Sequence, residues 1–210
     1  NKEGNVMKIL FATGNDKKYQ LMKERLKDFR DIEVLMPKDL DIKINVEENG
    51  TTAEENAILK VKAYYEKTKM PVIAEDSGLW VEKFSEENQP GLFVKRVKGK
   101  EGLSNEKILA HYISCLESVG GESLARYKTG VALIDKKGNL HSITIEEEPF
   151  LLTTKKSTKG YLDGGILDII SFDINSKKYF NELSEDERRK RYELIDKKIK
   201  EMIEKIHFEL

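Results

Sequence analysis

The chain has 210 residues, which is enough for one sizeable core or two small lobes and too short for several large domains. Charged residues make up 36% of it, yet 37 basic and 38 acidic side chains nearly cancel, leaving a formal net charge of -1. No overall field would draw this protein to nucleic acid or to an anionic membrane, so we expect neither as a partner. Any polyanion has to be bound by a local cluster of groups.

The numbers and spacing of the cysteine and histidine residues exclude further classes of protein. The single cysteine, Cys115, cannot form an internal disulfide, and its helical spacing from Ile108 and Tyr112 favours a core position over a nucleophile. The three histidines lack the spacing of a zinc site. No apolar run reaches the length of a membrane span, so we expect a cytoplasmic protein. We expect one domain over residues 7–210, with 1–6 as an N-terminal extension, native or left from cloning.

The first half of the chain predicts strands that alternate with helices. Apolar, strand-like runs lie at Lys8–Ala12, Glu33–Met36 and Pro71–Glu75. One helix is predicted from Asp16 to Phe29. A second begins at Thr52-Ala-Glu-Glu55, which has the spacing of a capping box.

The second half begins with a charged loop and then becomes richer in strands. The loop spans Glu82–Gly102, and Ser104 has the position of a helix N-cap. Alternating residues from Leu124 predict a hairpin that turns at Lys137-Gly-Asn139. Strands are predicted at Phe150–Thr154 and Ile166–Phe172, and a last helix is capped by Ser184 and Glu187. This order favours an α/β fold with an elongated mixed β-sheet, flanked by helices, and two lobes around a central cleft.

A glycine turn between the first strand and the first helix is the first candidate site. The turn consists of Thr13, Gly14 and Asn15. It leaves free backbone N–H groups and the positive end of the helix dipole facing outward, which suits phosphate. Lys18 lies one turn into the helix, within reach of a phosphoryl oxygen. The simpler interpretation is that Asn15 caps the helix and that Lys18 is solvated.

Carboxylates form the second candidate site. Oxygen ligands without a histidine cluster suit Mg²⁺, and one such acid can activate a water beside the metal. Asp76 is the most specific of them, because it follows an apolar strand, where α/β folds bind ligands. The alternatives are a turn at Asp76, a capping role for Glu55 and solvent exposure for the others. The carboxylates concerned are Glu47, Glu48, Glu54, Glu55, Glu75 and Asp76.

Cations complete the candidates. A triphosphate needs several donors, because its charge must be neutralised in the transition state. Lys60 lies on the second helix, and Lys95 and Arg96 follow Pro90-Gly91 in the charged loop. Each alone is most simply interpreted as a solvated side chain.

Taken in order, these segments resemble the inosine triphosphate pyrophosphatase family, also called Ham1-like proteins. That family hydrolyses deaminated purine triphosphates to monophosphate and pyrophosphate. The similarity covers about the first half of the chain and continues more weakly through Ala125-Arg-Tyr127. The motifs that carry it are Ala12-Thr-Gly-Asn-Asp-Lys-Lys18, Glu47-Glu-Asn-Gly-Thr-Thr-Ala-Glu-Glu-Asn-Ala-Ile-Leu-Lys60, Ala74-Glu-Asp-Ser-Gly-Leu79 and Pro90-Gly-Leu-Phe-Val-Lys-Arg96.

The resemblance implies a role for individual residues. Glu48 and Asp76 are the implied Mg²⁺ carboxylates, and Asp76 also acts as general base toward the attacking water. The resemblance also implies a catalytic role for Lys18, at the end of the site that binds phosphate. A homodimer is implied as well. The residues implied to bind substrate are Thr13, Gly14, Asn15, Lys18, Lys60, Ser77, Lys95, Asp168 and Arg188.

The sequence departs from the family pattern mainly where the base is recognised. Gly164-Gly-Ile-Leu-Asp168-Ile replaces Gly-Phe-Gly-Tyr-Asp-Pro, whose aromatic ring stacks on the purine. Tyr192-Glu-Leu194 replaces Ser-His-Arg, which reads the 6-oxo group, and Arg188 replaces a lysine. Leu21 stands where an acid is usual. Losing the ring and the arginine removes about 1–3 kcal/mol each from base recognition, so inosine specificity does not follow.

The sequence therefore predicts a Mg²⁺-dependent nucleoside triphosphate pyrophosphatase that acts on an inosine, xanthosine or other modified purine nucleotide. The alternative is a catalytically impaired nucleotide-binding or regulatory protein on the same fold. A pyrophosphatase of the Maf type is a further rival, but its opening Ser-x-Ser-Pro-Arg-Arg pattern is missing here.

Overall fold

The computed structural model describes residues 6–160 and 165–208. Within them the chain forms a mixed eight-stranded β-sheet and four α-helices, which confirms the predicted mixed α/β fold. The helices are α1 (Asp16–Arg25), α2 (Ala53–Thr68), α3 (Asn105–Glu117) and α4 (Glu185–Phe208). The strands are β1 (Met7–Phe11), β2 (Ile32–Leu35), β3 (Val72–Val81), β4 (Glu122–Ile134), β5 (Leu140–Glu146), β6 (Phe150–Thr153), β7 (Ser171–Asp173) and β8 (Lys178–Tyr179).

The chain divides into two compact units. The first unit contains the described residues up to Ser77, Thr129–Ile145 and those from Leu194 onward. The second unit contains Gly78–Lys128 and Glu146–Glu193. Strands β3 and β4 each contribute residues to both units. The expectation of one domain over residues 7–210 stays a prediction.

The first unit contains the parallel strands β1, β2 and β3, together with the end of β4 and most of β5, and it has helices on both faces. Strand β1 pairs in parallel with β2 and with β3, with Leu10 opposite both Leu35 and Val72. Alternation along the strands sends Ile73 toward buried residues of α1 and α4, and Ala74 toward buried residues of α2. Consecutive residues of β3 therefore face different helices.

The second unit is antiparallel. Strand β4 pairs with β6, β6 with β7 and β7 with β8. Helix α3 supplies its buried stripe to one core, with Tyr112 and Leu116 packed among Phe150, Leu152 and Ile170. Cys115 is buried in this core, as its helical spacing predicts.

Two predicted boundaries are wrong for physical reasons. Asp76 does not follow a strand: β3 continues through Asp76-Ser-Gly78, because Leu79 exchanges two backbone hydrogen bonds of 2.9 Å with Gly91. Residues 166–169 form a 3₁₀ turn in place of a strand, and only Ser171–Asp173 is extended. No helix in residues 6–160 and 165–208 is long and apolar enough to cross a membrane.

Candidate active site

The turn before α1 lies at the positive end of the helix dipole, and it engages several of its own N–H groups. Asn15 caps the helix, because its Oδ1 accepts the N–H groups of Lys17 at 2.9 Å and Lys18 at 3.2 Å. Thr13 Oγ1 accepts the N–H of Asn15 at 3.1 Å. A Cβ built on Gly14 meets nothing within 4 Å, and the Lys18 ammonium has no ion-pair partner among the described residues. The capping role is therefore real, and it leaves Lys18 available for a ligand.

Asp76 is held by a buried asparagine of α2. Asn56, only 3% exposed, donates from Nδ2 to Asp76 Oδ2 at 3.0 Å. Its Oδ1 accepts the Gly50 N–H at 2.8 Å, and a Cβ on Gly50 would lie 2.6 Å from that oxygen. The amide thus fixes one carboxylate oxygen of Asp76. The other oxygen has no hydrogen bond within the described part of the chain.

Lys60, one turn further along α2, ties Glu48 to the same strand. Its Nζ lies 2.6 Å from Glu48 Oε1 and donates to the Glu75 carbonyl at 3.1 Å. Glu75 precedes Asp76, so one face of α2 holds two consecutive residues of β3 and one carboxylate of the preceding loop. The structure therefore brings Glu48, Lys60 and Asp76 together.

The turn before α1 begins beside this cluster. Ala12 donates its N–H to the Ile73 carbonyl at 2.9 Å, and β1 and β3 are parallel with Phe11 opposite Ile73. The polypeptide that leaves β1 toward Gly14 therefore starts next to the stretch of β3 that leads to Asp76. Ser77, which follows, is exposed.

The donor set suits a hard divalent cation bound together with a substrate. No group of three or more His, Cys, Asp or Glu residues that could hold a metal exists in residues 6–160 and 165–208. Glu48 and Asp76 instead each offer one carboxylate oxygen that no described residue engages. Mg²⁺ commonly takes one or two carboxylates and completes its shell with water and phosphate oxygens. These residues fit that pattern.

Two neighbouring acids are engaged elsewhere. Glu54 accepts hydrogen bonds from the Ser142 hydroxyl at 2.7 Å and the Thr144 hydroxyl at 2.6 Å. Glu55 accepts from the N–H and the hydroxyl of Thr51, and these bonds lower the pKa of its carboxyl. The capping interpretation of Glu55 is therefore correct, although its backbone partner is Thr51, one residue before the N-cap.

The remaining predicted site residues belong to the second unit. Lys95 is exposed. Asp168 accepts the Gly165 N–H at 3.1 Å, and burial raises the pKa of its carboxyl while the charge of Arg188 opposes that rise. Arg188 also donates to the Phe180 carbonyl at 3.3 Å. Gly164 of the divergent loop lies outside the described residues.

An arginine that the sequence reasoning did not single out organises this unit. Arg191 lies 2.5 Å from Asp173, with both side chains nearly buried. Its guanidinium also stacks 4.4 Å from the Phe180 ring and 5.6 Å from the Phe150 ring. On the other side, Tyr127 stacks on Phe150 at 5.5 Å, and burial raises the pKa of its hydroxyl. This arginine therefore serves the packing of the second unit.

Asn56 is the main residue of the first-unit site that the sequence reasoning missed. It lies on a buried helical stripe with Ala53, Ala57 and Val61. A polar residue on such a stripe needs a buried partner, because an unpaired amide is costly there. That signal was present in the sequence.

Comparison with known proteins places the chain. A sequence profile described as the Ham1 family matches residues 9–195. The chain belongs to the Ham1 family. The resemblance stated from the motifs is thereby confirmed.

Named relatives agree with this assignment. A dITP/XTP pyrophosphatase of Thermoanaerobacter pseudethanolicus is 35% identical over 77% of this chain and 72% of that protein. One of Aquifex aeolicus is 49% identical, but over only 43% of this chain and 42% of that protein. The solved Ham1 protein of Staphylococcus aureus superposes with a TM-score of 0.71 at 25% identity, covering 93% of this chain and 99% of that one.

Proposed function

We propose that this Ham1-family chain is a nucleoside triphosphate pyrophosphatase, which hydrolyses a modified purine triphosphate to monophosphate and pyrophosphate. The observation that carries the proposal is the arrangement around α2, where Asn56 and Lys60 orient Asp76 and Glu48. The names of the relatives, dITP/XTP pyrophosphatases, support the reaction and the substrate class.

Glu48 and Asp76 would hold the metal ion, which we take to be Mg²⁺. When bound, the ion supplies neutralisation of charge on the phosphate oxygens. Asp76 also accepts a proton from the water that attacks the α-phosphorus. A new bond from the water oxygen to the α-phosphorus forms as the bond to the bridging oxygen breaks, and pyrophosphate leaves.

The phosphates are bound by the turn and by lysines. Gly14 offers its backbone N–H near the positive end of α1. The N–H groups of Thr13 and Asn15 are engaged within the turn, so these two residues would contact phosphate through the Thr13 hydroxyl and the Asn15 side-chain amide. Lys18 donates to a phosphoryl oxygen as negative charge moves onto the leaving pyrophosphate. Lys60 holds Glu48 and the β3 backbone in place. It therefore contributes to phosphate binding indirectly, through these two partners.

Substrate contacts at the remaining predicted positions complete the proposal. They are Ser77, Lys95, Asp168 and Arg188. A homodimer, a cytoplasmic location and the lack of nucleic-acid and membrane partners stay predictions from the resemblance and the composition.

A substrate panel tests the function. The purified chain with Mg²⁺ is given inosine, xanthosine, unmodified purine and pyrimidine triphosphates, and pyrophosphate and orthophosphate are measured separately. We expect pyrophosphate and monophosphate in equal amounts from inosine or xanthosine triphosphate. In ¹⁸O-labelled water the label should enter the monophosphate, because attack is at the α-phosphorus. Binding by calorimetry without any turnover would overturn the enzymatic proposal and favour the binding-protein alternative.

A further inference from the structure

A nearly buried arginine lies on the opposite side of β3 from the α2 cluster. Arg25, at the end of α1, has a side chain only 7% exposed. Its Nε lies 2.6 Å from Asp196 Oδ1 on α4, and its Nη1 lies 3.8 Å from Glu75 Oε2. The three side chains form a chain of charges from α4 through α1 to β3, entirely within the first unit.

This chain of charges ends on the residue next to Asp76. Alternation along β3 points Glu75 and Asp76 to opposite faces of the strand. On one face the Glu75 carboxylate lies within ion-pair distance of Arg25, at 3.8 Å, which is too long for a hydrogen bond. The Glu75 carbonyl accepts a hydrogen bond from Lys60. The peptide that carries Asp76 is therefore constrained from two directions, by an ion pair and by a hydrogen bond.

The apolar surroundings of Arg25 indicate that this residue serves to orient its partners more than to stabilise the fold. Met22, Leu26, Ile195 and Ile199 are buried in the same core. An apolar residue in place of a buried ion pair is often neutral or stabilising. An arginine offers planar donors that can address two carboxylates in a fixed geometry, which a lysine cannot do.

We propose that Arg25 is a positioning residue for the reaction, which acts through Glu75 to hold Asp76 in its productive orientation. The inference rests on the proposed function, because it assigns Asp76 the metal-binding and base roles. It adds a link from α4, through Asp196, to the reacting carboxylate.

The decisive variant is Arg25→Lys, because it preserves the charge and removes the planar donors. We expect kcat for pyrophosphate release to fall about tenfold with KM changed less than threefold, since loss of a partner that orients a ligand typically costs 10–100-fold. Mn²⁺ affinity, measured by calorimetry without nucleotide, should weaken in parallel. The matched control is Lys27→Arg, two residues after the end of α1, whose partner Glu24 is exposed, and it should change neither quantity.

Two further variants make the test independent of how well Arg25→Lys folds. Glu75→Gln should reproduce its loss of kcat and of Mn²⁺ affinity. Asp196→Asn, at the exposed end of the chain of charges, should cause a smaller loss of about threefold, within the range of mutations that act at a distance. Melting temperatures are recorded for all variants.

The outcomes separate this inference from the proposed function. Unchanged kcat and Mn²⁺ affinity in Arg25→Lys and Glu75→Gln, with only a lower melting temperature, would overturn the positioning role alone. If the parent chain releases no pyrophosphate, yet its Mn²⁺ affinity falls in Asp76→Asn, Glu75→Gln and Arg25→Lys, the function fails and the positioning of Asp76 by Arg25 stands. Mn²⁺ affinity that is insensitive to Asp76→Asn would overturn both.

Discussion

The two units use their charged residues differently. In the first unit, Asn56 and Lys60 direct polar contacts onto Asp76 and Glu48, and Lys18 is left without an ion-pair partner among the described residues. In the second unit, Arg191 is committed to an internal partner and to aromatic rings. Phosphate chemistry demands fixed oxygens and donors, whereas base recognition can be rebuilt on the same packed scaffold. Under the proposed function, the contrast predicts that the reaction is retained although the family's base motifs are missing from the sequence.

The largest expected effect is in the first unit. Asp76→Asn should lower kcat/KM by about 10²–10⁴, because it removes a general base together with a metal ligand. Its fold should persist, since an asparagine Oδ1 can still accept the Asn56 amide. Pyrophosphate release and circular dichroism measure the two effects. Activity within tenfold of the parent would show that Asp76 is not the base.

A substitution at Arg191 in the second unit should lower the stability of the fold and leave the reaction unchanged. Arg191→Met leaves Asp173 charged and nearly buried without its partner, which should cost about 3–5 kcal/mol in free energy of unfolding. Urea denaturation measures the cost, and Lys190→Met, an exposed neighbour on α4, is the control. If Arg191→Met is stable but has a strongly raised KM, the arginine contacts substrate, and the contrast between the units disappears.

A substitution at Asp168 should have a smaller effect on stability, and it should stabilise the fold. Burial raises the pKa of its carboxyl above the value in the unfolded chain, even with Arg188 nearby. Between those two pKa values the folded state binds more protons, so this group makes stability fall as pH rises through that window. Above the folded-state pKa the whole cost is present, and Asp168→Asn should raise the melting temperature there.

The same variant should give no advantage at a pH below the unfolded pKa of about 3.9. Melting curves of both proteins between pH 3 and 8 measure the difference. A lower melting temperature at pH 7 would mean that the Asp168 charge stabilises the fold, and that its interaction with Arg188 outweighs burial.

The sequence predicted those features that depend on neighbours along the chain. The Thr52 and Ser184 caps formed as expected, because capping geometry is set within four residues. The contact of Arg25 with Asp196 joins residues 171 positions apart, and no local pattern indicates it. At Asp168 the apolar pattern and the local hydrogen bonding disagree. The apolar neighbours predict a strand, but the hydrogen bond that Asp168 accepts from the Gly165 N–H favours a 3₁₀ turn.

The smallest effect is expected at Leu21, where the family usually has an acid. The Leu21 side chain is 50% exposed on α1, so a carboxylate at this position would not belong to a buried network of polar groups. Leu21→Glu should therefore change kcat/KM less than about twofold, and stability by no more than about 0.5 kcal/mol, as for most surface substitutions. A glutamate there lies four residues before Arg25 and could compete with Glu75 for it.

That competition makes the variant informative about the first unit. If Arg25 stays with Glu75 and Asp196, pyrophosphate release is unaffected, and Leu21→Gln, the uncharged control, behaves identically. A gain of tenfold or more in Leu21→Glu alone would mean that an acid at this position takes part in the chemistry. The first unit would then be an incomplete reaction site, and the divergence of this chain would extend beyond base recognition.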